Sequence, residues 1–219
     1  MTLHKPHMHL QQPPGLTSPA AEPAWRPQQR FSAGQLSSAV RGWLLDDGSL
    51  TQRLTAQGRG PFRVVRLKQG WEVPLPSERT LLELPQRQVA IIREVILQQG
   101  ERRVVFARSV IPISSLRGRL AHLRRLQNKP LGEILFGANG MRRSPFELAR
   151  IHSGSSYLPD QLRHQQSTAW GRRSRFEVYG HNVMVSEVFL DEFEPWPALI
   201  PLHRSRRGKV ATAIVGTKQ

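Results

Sequence analysis

Residues 183–190 read VMVSEVFL. The β-branched and apolar residues predict a strand, and side chains in a strand alternate between two faces. Val183, Val185, Glu187 and Phe189 share one face; Met184, Ser186, Val188 and Leu190 share the other. Glu187 therefore interrupts an apolar face. A carboxylate there is costly unless it is paired, protonated or used.

A second stretch has the same anomaly with the opposite sign. In QVAIIREVIL, residues 88–97, one strand face holds Val89, Ile91, Arg93, Val95 and Leu97. Arg93 and Glu187 can form a buried ion pair with each other. They can equally line a pocket with a ligand between or beside them. Arg108 shares a face with Val104, Phe106 and Val110, and a guanidinium that snorkels to the sheet edge is expected there. WGRRSRF, residues 170–176, places three arginines in a row of strand-like residues. It reads as a solvated face with Trp170 and Phe176 in the core, or as an anion clamp.

Outward from these strands, the pattern is one of hairpins and short helices. SAGQLSSAVRGWLL spaces Leu36, Val40, Trp43 and Leu44 as an amphipathic helix. Ser49 is placed to cap a second short helix through Leu50, Arg53 and Leu54. PFRVVRLKQGWEVPL suggests a hairpin turning near Lys68-Gln69-Gly70, and RQVAIIREVIL and RVVFARSVIPI suggest another around QQGER. Residues 115–137 read as helical, with a break at Asn128-Lys129-Pro130. SPFELARI suggests a helix, and SGSSYLPDQLRHQQS a loop. SRFEVYG and VMVSEVFL form a last hairpin, turning at His181-Asn182. The expected fold is α+β: one domain, residues 32–194, with a twisted antiparallel sheet flanked by helices. Residues 1–31 read as a disordered, Pro-, Gln- and His-rich tail, and residues 195–219 as a basic tail carrying RSRRGK. HKPHMH in the first tail lacks the carboxylate or thiolate that would complete a metal site.

Composition narrows the function. The 219 residues include no cysteine, which excludes disulfides and thiolate chemistry and suits the cytoplasm. Neither a signal peptide nor a membrane-spanning run is apparent, so a soluble protein without membrane insertion is expected. Lys plus Arg number 32 against 16 for Asp plus Glu, a net charge of +16. Such a surface attracts anions, whether nucleic acid, lipid or a small polyanionic substrate. P-loop, dinucleotide-fingerprint, HExxH, GxSxG, zinc-finger and RRM patterns are all missing. A cofactor-free enzyme or a ligand-binding module remains, with nucleic acid disfavoured as the partner.

WLLDDGSLTQRL, ARSVIPISSL, KPLGEILF, WGRRSRF and SEVFL occur in the order and spacing of the chorismate pyruvate-lyase family, across residues 35–192. The resemblance implies a twisted antiparallel sheet with a ligand site closed from solvent. It implies conversion of chorismate to 4-hydroxybenzoate and pyruvate, for ubiquinone biosynthesis, with no metal or organic cofactor. By position in these motifs, it makes Arg93 and Glu187 the catalytic pair, and Leu131 and Leu50 further substrate-binding positions. Leu50 stands where better-known members have methionine. Arg93 would hold the ring carboxylate and Glu187 the 4-hydroxyl, with Arg172, Arg173 or Arg175 meeting the second carboxylate. A monomer is expected. The same fold class also occurs as a small-acid-sensing domain of transcription regulators, the alternative reading.

Overall fold

The structure is a computed structural model in which residues 22–164 and 167–196 are described. The histidine-rich stretch near the N-terminus, the RSRRGK segment and most of both expected tails lie outside those residues.

The chain opens with β1 (Arg26–Pro27) and a 3-10 turn (Gln28–Arg30). α1 (Ser38–Leu44) and α2 (Leu50–Ala56) follow, each started by a serine. The Ser37 and Ser49 hydroxyls accept from the amides of Val40 and Gln52, groups that the first helical turn leaves without partners. Next come β2 (Phe62–Glu72), α3 (Pro76–Leu82), β3 (Ala90–Gln99) and β4 (Arg102–Pro112). After β4 the chain forms a 3-10 segment (Gly118–Arg125), then α4 (Leu131–Gly137). It ends with β5 (Arg142–Arg143), β6 (Glu147–Ile151), α5 (Asp160–Arg163), β7 (Ala169–Val178) and β8 (His181–Phe189).

The strands make one antiparallel sheet in the order β1-β6-β7-β8-β4-β3-β2, with β5 also paired to β7. This is the expected α+β architecture. Each face carries its own core. On one face, α1, α2, α4 and the 3-10 segment bury Leu44, Leu54, Leu120, Leu123 and Leu135 against the strands. On the other, α3 and α5 bury Leu82 and Leu162 against residues such as Ile92, Phe106 and Val188.

Four local expectations are corrected. The segment 61–75 is no hairpin: β2 is one strand paired with β3 throughout, with a bulge between Arg66 and Lys68. Gly70 pairs with Ile92 inside it. SPFELARI is not helical, because Glu147–Ile151 pairs with β7. Leu148 and Ile151 have helical spacing, but tertiary pairing overrides so short a local preference. The last hairpin turns at Tyr179-Gly180, both at positive φ (51° and 75°), so His181 and Asn182 already belong to β8. Two successive positive-φ residues match the twist of flanking strands. Within 115–137, Gly118–Arg125 is 3-10 rather than α-helix.

The folded unit also begins earlier than residue 32. Arg26 and Pro27 pair with Leu148 and Glu147, and Trp25 packs edge-on against Tyr157. At the other end, Phe193 and Trp196 are buried and join an aromatic cluster with Trp43 and Phe189.

Candidate active site

The sheet register brings Arg93 and Glu187 to the same face. Arg93 pairs with Ser109 across β3 and β4, and Ala107 pairs with Glu187 across β4 and β8. Val95, Leu97 and Val185 share this face, and with them Arg93 and Glu187 line a small cavity of about 50 Å³. Leu131 and Leu50 close it from the helical side. The four residues implied by the resemblance thus meet in one enclosure.

The Arg93–Glu187 ion pair does not form. Arg93 is 2% exposed, and its Nη2 donates to the carbonyls of Gln127 (2.9 Å) and Lys129 (3.0 Å). Its Nε has no partner, and Arg93 forms no ion pair among the described residues. Burial, with a smaller push from Arg66, lowers its pKa to about 10. It remains a cation at neutral pH. Gln127 adopts a φ of 48°, a left-handed conformation uncommon for a side-chain-bearing residue, where the chain turns between the 3-10 segment and α4.

Glu187 is held instead by Arg172, whose Nε donates to its Oε2 at 2.6 Å. Arg172 lies opposite Glu187 in the β7–β8 register. Its Nη1 also donates to the carbonyls of Leu44 and Asp46, at 3.1 and 2.7 Å, which ties the Glu187 carboxylate to the α1–α2 loop. Glu187 so held lines the cavity.

Leu50 and Leu131 each occupy the first position of a short helix, following Ser49 and Pro130. First-turn amides have no partner within their own helix. Both helices therefore present backbone donors where the cavity closes, and their starts are near neighbours: a Cβ on Gly132 would lie 3.7 and 3.8 Å from the Thr51 and Ser49 hydroxyls, ordinary van der Waals spacing. Leucine in place of methionine at 50 retains an apolar wall.

The WGRRSRF arginines are not a solvated face. Arg172 and Arg173 are buried, and the three residues split between the two sides of the sheet. Arg173 pairs with Glu147, and Arg175 with Glu83, both away from the cavity. Arg108 does not snorkel. It is buried beneath α3, with Nε and Nη2 donating to Glu78 (2.7 and 3.1 Å) and Nη1 to Glu94 (2.6 Å). Burial opposes its charge, but the hydrogen bond and the negative charge of Glu78 outweigh that and raise its pKa. Arg143, which sequence reasoning does not single out, lies over the rings of Phe136 and Phe176 that line the cavity. It belongs to the aperiodic stretch 138–146, where only the nearby aromatic residues offer a signal.

Two larger grooves are open to solvent. One, about 370 Å³, lies on the opposite face near Arg108 and Tyr157; the other, about 650 Å³, is lined by His122, Arg124, Arg125 and Lys129. Neither contains Arg93 or Glu187. Among the described residues there is no cluster of metal-ligating side chains, and no helix is long and apolar enough to cross a membrane.

Residues 21–195 match the family model described as chorismate lyase. The chain is 39% identical over 162 residues to a protein named "Probable chorismate pyruvate-lyase" from Methylococcus capsulatus, covering 69% of this chain and 94% of that protein. It is 42% identical over 161 residues to one of the same name from Pseudomonas aeruginosa, covering 72% and 88%. One of the solved structures it resembles is PhnF from Mycobacterium smegmatis, at 13% identity and a TM-score of 0.49 over 68% of this chain and 67% of that one, too distant to bear on function. A family match across residues 21–195, with Arg93 and Glu187 brought to one enclosure, establishes that this chain belongs to the chorismate lyase family.

Proposed function

We propose that the chain eliminates pyruvate from chorismate to give 4-hydroxybenzoate, in the cytoplasm and as a monomer, supplying the ring of ubiquinone. The observation that carries this reading is Arg93: a buried cation with no counter-ion among the described residues, facing a small cavity shared with Glu187. A charge so placed is costly until an anion meets it. The ring carboxylate of chorismate is such an anion, and a planar guanidinium suits it. Glu187, which lines the same cavity, takes the 4-hydroxyl, with Arg172 fixing its orientation. The amides of Leu50 and Leu131 supply further donors to the ligand.

The reaction breaks the C4–H bond and the C3–O bond of the enolpyruvyl ether. The ring becomes aromatic, and the hydrogen passes to the methylene carbon of the departing group, which leaves as pyruvate. Aromatisation drives the step, so the protein's part is to hold one conformer and serve the proton's movement, the role given to Glu187. The cavity is enclosed by α2 and α4, so these helices part to admit chorismate and to release product. The absence of cysteine suits a reducing compartment.

Incubation of the purified protein with chorismate in the presence of a chelator tests the reading. Equal formation of 4-hydroxybenzoate and pyruvate is expected. Tight binding of 4-hydroxybenzoate with no turnover would make the chain a sensor of small acids, and neither binding nor turnover would remove the cavity from consideration.

A further inference from the structure

Chorismate carries two carboxylates, and Arg93 accounts for one. Of the arginines on WGRRSRF, Arg173 and Arg175 face away from the cavity and have their own carboxylates. Arg172 lies on the cavity face but is compensated by Glu187. The second carboxylate therefore needs a cation from elsewhere.

Arg143, on β5, meets that need. Its Nε donates to the Ser174 hydroxyl at 2.7 Å, and its Nη1 to the Asp47 carbonyl at 3.2 Å. Ser174 faces Val185 across β7 and β8, one cross-strand pair from Arg172 and Glu187. The guanidinium carbon lies 4.1 Å from the ring centroid of Phe146, 4.7 Å from Phe176 and 5.9 Å from Phe136. Two of these rings, Phe136 and Phe176, line the cavity, and Arg143 stands directly behind them. Like Arg93, it forms no ion pair among the described residues. Burial, and then repulsion from Arg172, lowers its pKa to about 9; Glu187, Asp47 and Asp46 offset this from beyond ion-pair distance.

Charges and geometry agree. Arg172 and Glu187 cancel, which leaves two positive charges, Arg93 in the cavity lining and Arg143 behind two of its rings, against two negative charges on chorismate. The ring carboxylate and the 4-hydroxyl stand at opposite ends of the ring. The ether oxygen is on C3, next to the carbon bearing the hydroxyl, so its carboxylate falls near the group that holds that hydroxyl. We infer that Arg143 is the substrate-binding residue for the enolpyruvyl carboxylate, the group that distinguishes chorismate from the product, an inference that rests on the lyase reading above.

The product lacks that carboxylate, and this separates Arg143 from every other contact. Arg143→Gln is expected to lower kcat/KM for chorismate roughly 10- to 100-fold. The Kd for 4-hydroxybenzoate should change by no more than about threefold. Arg143→Lys, which keeps the charge, should recover part of the loss and serves in place of the glutamine variant if that fails to fold. A parallel fall in turnover and in 4-hydroxybenzoate affinity would overturn the inference, since it would mean a structural role or a contact with the ring. So would unchanged turnover. If the unsubstituted protein converts no chorismate, the lyase reading itself fails, an outcome visible before any variant is made.

Discussion

Arg108 and Arg93, buried on opposite faces of the sheet, are treated in opposite ways. Beneath α3, Arg108 is saturated by Glu78 and Glu94, Arg173 is paired with Glu147, and Arg175 with Glu83. On the cavity face Arg172 is likewise paired with Glu187, but Arg93 and Arg143 form no ion pair among the described residues and donate instead to carbonyl and hydroxyl oxygens. Both guanidiniums are buried, yet of the two only Arg108 meets a counter-ion among the described residues. The difference separates a structural ion pair from a binding site. For Arg108 the counter-ion is part of the fold; for Arg93 it must arrive as a ligand.

The comparison breaks most visibly at Arg108. Arg108→Met leaves Glu78 and Glu94 without their cation. Breaking a buried pair in this way costs about 3 to 5 kcal/mol. For a domain of this size that lowers Tm by roughly 10 to 15 °C, measurable by thermal denaturation. An unchanged Tm would remove the structural role of the pair.

Arg93→Ala is expected to act on the ligand. Removing a buried charged contact costs on the order of 3 to 4 kcal/mol of binding, about 100- to 1,000-fold in kcat/KM for chorismate and in 4-hydroxybenzoate affinity alike. Steady-state kinetics and titration calorimetry read both. Glu187→Gln is expected to lower kcat roughly 100-fold while binding survives, because the amide keeps the shape but cannot take a proton. Near-normal kcat in that variant would exclude proton transfer by this group.

The smallest effect is the sharpest contrast. Arg93→Met abandons no carboxylate, and the carbonyls of Gln127 and Lys129 belong to exposed residues that can turn to water. Its stability should change by no more than about 1 kcal/mol. The same substitution on the two faces thus separates folding from function.

Much of this arrangement is legible in the sequence. β3, β4 and β8 announce themselves as apolar runs, and a charge inside such a run marks Arg93 and Glu187 at once. α2 is legible from Ser49 alone. Other features depend on contacts that local pattern does not encode. Gly70 reads as a turn residue, but pairing with Ile92 keeps it in β2. The partner of Glu187 is set by the β7–β8 register, and those of Arg93 are backbone carbonyls 34 and 36 residues away. Arg108 and Arg93 look alike along the chain; Glu78, folded over by α3, and Glu94, across from it on β3, meet one of them and make them different. Arg143 escapes notice because its two-residue strand is too short to show a period.

Calorimetric titration of 4-hydroxybenzoate into the native protein and into Arg93→Met is the most direct measurement. The expected result is one molecule bound per native chain, with affinity at least about 100-fold weaker in a variant that melts at nearly the same temperature. Equal affinity in the two proteins would place the ligand elsewhere and contradict the assignment of the Arg93 cavity as the binding site.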